Sequence, residues 1–189
     1  MSRPWTLSSV VVALFVGLWS AKAVQEDGPP LAQSGPEHEI LKTEVGDWDA
    51  LVKMMGPPGA PPEESKGGES ISLIHGGLWI LAQYNGEFMG QEFTGTGITG
   101  YDTKKQKYVT VWVDSMTDSL TTLEGTYDAK SNAFTFTYEG PSMMAPGETV
   151  THKHTTVLKD NDTRVFTMAE VGSDGKDAVA MEITYKRKK

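Results

Sequence analysis

From Ser70 to the C-terminus the chain repeats one pattern: a strand-like run of roughly 6–10 residues, then a cluster of turn-formers. The runs are Ser70–His75, Leu78–Tyr84, Gln91–Tyr101, Lys107–Asp114, Leu120–Tyr127, Ala133–Glu139, Glu148–Leu158, Arg164–Val171 and Ala178–Lys186. Between them stand Gly76-Gly77, Asn85-Gly86, DTKKQ, DAKSN, GPSMMAPG, KDND and GSDGKD. A parallel pair needs a crossover of about a dozen residues or more, and these connections leave no room for one. With Gly46–Met55 as the first strand, the spacing predicts an all-β antiparallel meander of about ten strands, closed as a barrel or nearly so. Glu37–Glu44 reads as one short helix before it. Gly56–Glu69, crowded with proline and glycine, reads as a long surface loop.

The stretch Ile74–Asp102 holds seven glycines among apolar and aromatic residues. Glycine inside a strand marks a bulge, a bend or a close backbone approach, all of which a small barrel requires. Asn85-Gly86 reads as a tight hairpin turn. Gly95-Thr-Gly97-Ile-Thr-Gly100 spells a nucleotide-binding motif, but that motif works only between a strand and a helix, and here a turn and another strand follow.

The N-terminus reads as an export leader. Arg3 supplies a positive start, Val10–Trp19 an apolar core too short to span a bilayer comfortably, and Ala21-Lys22-Ala23 a cleavage signature, placing the cut between Ala23 and Val24. The expected order is a signal peptide at 1–23, a disordered spacer at 24–36 and one domain at 37–189. The chain has no cysteine, so thiol catalysis, cysteine-based zinc and covalent haem are excluded, and a secreted or periplasmic bacterial setting is expected. The net charge is -8; losing Arg3 and Lys22 with the leader leaves 15 basic residues against 25 acidic ones. That balance argues against nucleic acid and against a polybasic membrane patch. The terminal Lys186-Arg187-Lys188-Lys189 reads as a solvated end. No stable membrane insertion is expected after cleavage, and the oligomeric state stays open.

Seven segments resemble one family in order and spacing: Gly46-Asp47-Trp48, Met55–Ser65, Gly86–Gln91, Gly97–Asp102, Trp112–Met116, Glu124–Tyr127 and Met181–Tyr185. Together they look like the bacterial domain-of-unknown-function family 1579, over about Glu37 to Lys186. The resemblance implies a lipocalin-like, calycin-type barrel in an often exported protein, and brings no activity or catalytic set. In calycins the Gly-x-Trp tripeptide packs the closed end, which would make Trp48 a barrel plug.

Chemistry-bearing residues are few. On Lys107–Asp114 one face is Val109, Val111 and Val113; the other is Tyr108, Thr110, Trp112 and Asp114. The mixed face suits either a cavity wall with a few polar anchors or cross-strand packing on a solvated side. His152 and His154 share a face and could chelate a metal, but no completing ligands follow, so a solvated polar face is expected. His75 reads as a structural histidine at a strand end. Eight methionines in the mature chain add a mild leaning toward an irregular apolar pocket. The expected function is binding of a small, partly apolar ligand by Trp112, Asp114, Tyr84 and Trp79, under a lid formed by the Pro-rich loop, with no metal, no cofactor and no assigned catalytic residue. Two alternatives stand beside it: an enzyme using a buried Asp114 as acid or base, and a structural envelope domain with a filled interior.

Overall fold

The computed structural model describes residues 31–189 apart from Pro58, Met144 and Pro146. The expected leader and cleavage site lie outside the described residues, as does most of the expected spacer.

The chain enters through a short helix α1 (Pro36–Leu41), which continues as a 3-10 turn over Lys42–Glu44. Ten strands follow: β1 (Gly46–Met54), β2 (Glu63–Ile74), β3 (Trp79–Phe88), β4 (Gln91–Asp102), β5 (Lys107–Asp114), β6 (Thr121–Asp128), β7 (Ala133–Pro141), β8 (Thr149–Asp160), β9 (Thr163–Val171) and β10 (Asp177–Arg187). Each pairs antiparallel with its sequence neighbours, and β1 pairs with β10, so the sheet is a closed barrel. Closure leaves no free edge. Among the described residues no helix is long and apolar enough to cross a membrane.

The helical segment caps one end. Leu41 is fully buried there, the Tyr108 hydroxyl donates to the Glu37 carbonyl at 3.0 Å, and the His38 ring meets the edge of Tyr101. Trp48 is buried just inside, its Nε1 donating to the Glu44 carbonyl at 2.9 Å. Arg187 clamps the cap: its guanidinium lies 4.0 Å from the Trp48 ring and donates to the Thr43, Val45 and Asn161 carbonyls. The expected solvated C-terminal end is therefore wrong at Arg187. The aromatic face of Trp48 and three backbone carbonyls around the cap draw it in.

Three more expectations need correction. Glu63–Glu69 is strand, so the Pro-rich connection spans only 55–62. Asn85-Gly86 lies inside β3, and the turn is made by Met89 and Gly90 at φ 51° and 75°. The β4 glycines do not sit at bulges, because β4 keeps unbroken register with β3 and β5. The register shifts occur instead at Val179/Met181 and Leu158/Asp160. What the glycines provide is room for rings. A Cβ on Gly95 would lie 2.1 Å from the Trp112 ring, and one on Gly100 would lie 2.2 Å from the Trp79 ring. The close-approach part of the expectation holds, with aromatic rings lying over bare backbone.

Candidate functional site

Alternation along the strands turns one side chain in two toward the barrel axis. These side chains do not fill it. A cavity of about 540 Å³ remains, within the roughly 300–1,000 Å³ of small-molecule sites. The filled interior of the structural alternative is not what the chain builds.

Below the cap, the floor is charged. The Arg164 guanidinium pairs with Glu44 at 3.2 Å and with Glu69, and all three side chains are buried. The Trp48 ring lies 4.8 Å and the Tyr185 ring 3.9 Å from the same guanidinium. Burial raises the Glu44 carboxyl above its ordinary range, and Arg164 only partly offsets this. Burial also opposes the charge on Arg164, but Glu69 and Glu44 outweigh it and hold the guanidinium charged. Burial, with Glu69 adding to it, raises the Tyr84 hydroxyl, and Tyr185 is pushed well above the usual phenol range for the same first reason.

The shaft above is apolar and aromatic, with Ile71, Ile80, Ala82, Phe134, Phe136 and Phe166 on its walls. Five methionines (Met54, Met116, Met143, Met168 and Met181) line the cavity. Thr99 and Thr110 hydrogen-bond across β4 and β5 at 2.8 Å. His154 also lines the shaft, edge-on to Tyr138 and Phe166, with no hydrogen-bond partner at Nε2. Burial, and then His152, lowers its pKa to about 4, so it is a neutral imidazole at pH 7. His152 is buried too, stacked on Tyr138 and bonded through Nε2 to the Pro141 carbonyl at 3.0 Å. The solvated reading of this pair is overturned, because the shared face points inward. Among the described residues no three potential metal ligands come together. His75 is an exposed turn residue at φ 50°.

At the mouth, Trp112 and Asp114 line the cavity with Met116, Thr117 and Met143. The mixed face of β5 is thus the inner one. Trp112 Nε1 donates to Asp114 Oδ2 at 3.0 Å, while Oδ1 accepts from the Met116 and Thr117 amides. Asp114 spends both oxygens on orienting the indole and fixing the turn, and is only half-buried. Ser115 accepts from the Thr94 amide. Of the four expected ligand contacts, Trp112, Asp114 and Tyr84 line the cavity, with Tyr84 near the floor. Trp79 does not: it starts β3 on the outer face, its ring over Gly100. The ring needed a glycine slot, and that slot lies outside the barrel.

Sequence reasoning missed the Arg164, Glu44 and Glu69 cluster. Its members lie 95 and 120 positions apart in the pairs that form it, and no local motif marks them. The one signal was an arginine opening an otherwise apolar strand run.

A search of curated proteins finds no match. Two solved structures share the fold. Rv2717c from M. tuberculosis is 12% identical, covers 85% of this chain and 100% of its own, and superposes with a TM-score of 0.57. The S-type phycobiliprotein lyase CPES from Guillardia theta is 14% identical, covers 80% of this chain and 92% of its own, with a TM-score of 0.53. At these identities the likeness carries the barrel and nothing finer. The sequence itself matches a family profile over residues 33–187, almost the whole described barrel, and on that match the chain belongs to the family described as Protein of unknown function (DUF1579).

Proposed function

We propose that this protein is an exported binding module that holds one small, partly apolar ligand inside the barrel. The observation that carries this is the cavity of about 540 Å³. A chain selected only for stability would fill such a space, since each void costs packing contacts and cavity free energy. Here the wall is mostly apolar, the acidic groups and the arginine gather at the two ends, and methionines supply an adaptable surface between. Trp112, held by Asp114, is the anchor at the mouth, and Tyr84 meets the ligand's inner end. Export rests on the leader read at residues 1–23, which places the working protein in the periplasm or outside the cell.

Native mass spectrometry of residues 24–189, purified from the exported fraction, tests this. The expected result is a co-purifying mass that leaves on denaturation. A bare protein that also takes up nothing from a lipid and metabolite extract contradicts the reading.

A further inference from the structure

The cavity's charge is lopsided. Its acidic lining is Glu44 and Glu69 at the floor and Glu87 and Asp114 at the mouth; among the described residues Arg164 is the one cationic side chain on the wall, with His154 neutral. In a barrel meant for a carboxylate amphiphile, a buried arginine is the natural receptor, because its planar fork takes both oxygens. Arg164 is not available for that. Nη1 is held by Glu44 and Nη2 by Glu69, and the rings of Trp48 and Tyr185 lie against the guanidinium. Its Nε has no acceptor but is sealed from contact. A bound carboxylate would stand beside two others around one guanidinium. A buried charge without a partner is costly, so this arrangement repels an anion.

The same arithmetic favours a cation. Two carboxylates share one guanidinium, so the ionised floor carries one uncompensated negative charge. The Tyr84 ring lines the cavity beside it, while the Tyr185 ring is taken up by Arg164. Carboxylate oxygens and ring faces together are the surroundings in which a desolvated ammonium group is held. We propose that the barrel selects apolar amines, with the protonated nitrogen at the floor beside Glu44 and Glu69 and the carbon skeleton filling the apolar shaft. This rests on the ligand-binding reading and names its ligand class. The raised Glu44 carboxyl fits: its burial is only partly offset by Arg164, and a neighbouring ammonium would offset it further.

The test is a set of three probes of equal chain length, dodecylamine, dodecanol and dodecanoate. Each is titrated below its micellar range against bound N-phenyl-1-naphthylamine at pH 7. The expected order is amine, then alcohol, then carboxylate, with about tenfold or more between the first two, the margin of one good charge-assisted contact. Glu44→Gln should remove that margin, read as the ratio of amine to alcohol affinity within the same variant. Dodecanoate binding as well as the amine, or amine and alcohol binding alike, overturns the charge inference while the ligand-binding reading stands. Binding of none of the three, nor of the naphthylamine, defeats both. Full retention of the amine's margin in Glu44→Gln overturns the floor placement, and if that variant does not fold, the wild-type order still decides.

Discussion

At the capped end every connection is short and the chain's own helix closes over it; at the open end, apart from the two-residue turn Met89-Gly90, the connections are longer and carry methionine, proline and glycine, although Asp114 fixes one of those turns as well. Asp102, Asp128 and Asp160 each end a strand at the capped end, and each accepts backbone amide hydrogens from its own turn. The helix, Trp48 and Arg187 then close over the ion cluster. The open end has Met55–Pro62, Ser115–Leu120 and the β7–β8 connection, where Met55, Met116, Leu120 and Met143 are exposed. Those loops cover little of their own apolar surface. The difference teaches a division of labour: one end is closed by its own chain, and the other leaves apolar side chains uncovered, as the proposed binding role requires.

The largest effect should come from the capped end. Arg164→Ala leaves Glu44 and Glu69 buried without their cation, and loss of one partner from a buried pair costs about 3–5 kcal/mol. Urea denaturation should show that loss or no folded protein. A loss below about 1 kcal/mol would mean the cluster is solvated and the two ends are not so different.

Acid should act next, through His154. Its folded pKa, about 4, lies below the ordinary value of 6.5, so the native state prefers the neutral ring. The stability this contributes is fully present above pH 6.5 and is lost as pH falls toward 4, on the order of 3 kcal/mol in all. Glu44 works the other way, since its raised pKa lets the native state bind a proton more tightly as pH falls. Denaturation midpoints across that range in wild type and His154→Gln separate the two: the variant should be flatter. Equal slopes would remove His154 from the account.

A smaller effect is expected at the glycine slots. Gly95→Ala puts a methyl where the Trp112 ring lies, at a cost of about 1–3 kcal/mol. Trp112→Ala in the same chain should relieve it, giving a double-mutant coupling, whereas simple additivity would show that the ring does not occupy that slot. The smallest stability change is expected at the mouth. Met116→Ser should shift stability by no more than about 0.5 kcal/mol yet weaken an apolar probe, sharpening the contrast with Arg164.

Much of the fold was legible because antiparallel hairpins are local. Runs, turn clusters and the aspartate-led turns DTKKQ and DAKSN are short-range signals. The two faces of β5 were legible too, since period-2 alternation separates Tyr108, Thr110, Trp112 and Asp114 from the valines, but which of them looks inward was not, because either face could pack against a neighbour. Other features depended on partners far along the chain. Asn85-Gly86 looked like a turn because its glycine pairs across the sheet with Gly67, where both clear the Tyr84 hydroxyl. Trp79 and Trp112 are equivalent as sequence, and only barrel closure puts one outside and one inside. The ion cluster needed three strand or cap positions to converge, which no spacing rule records.

The central claim is that the cavity is the binding site, and filling it is the most direct test. Ala82 lines the shaft on β3, so Ala82→Phe should occupy the void without breaking the ion cluster below or the mouth above. Titration with the neutral N-phenyl-1-naphthylamine should show saturable binding to the wild type and affinity at least about tenfold weaker in the folded Ala82→Phe variant. Equal affinity in both would place the probe outside the barrel and contradict the account.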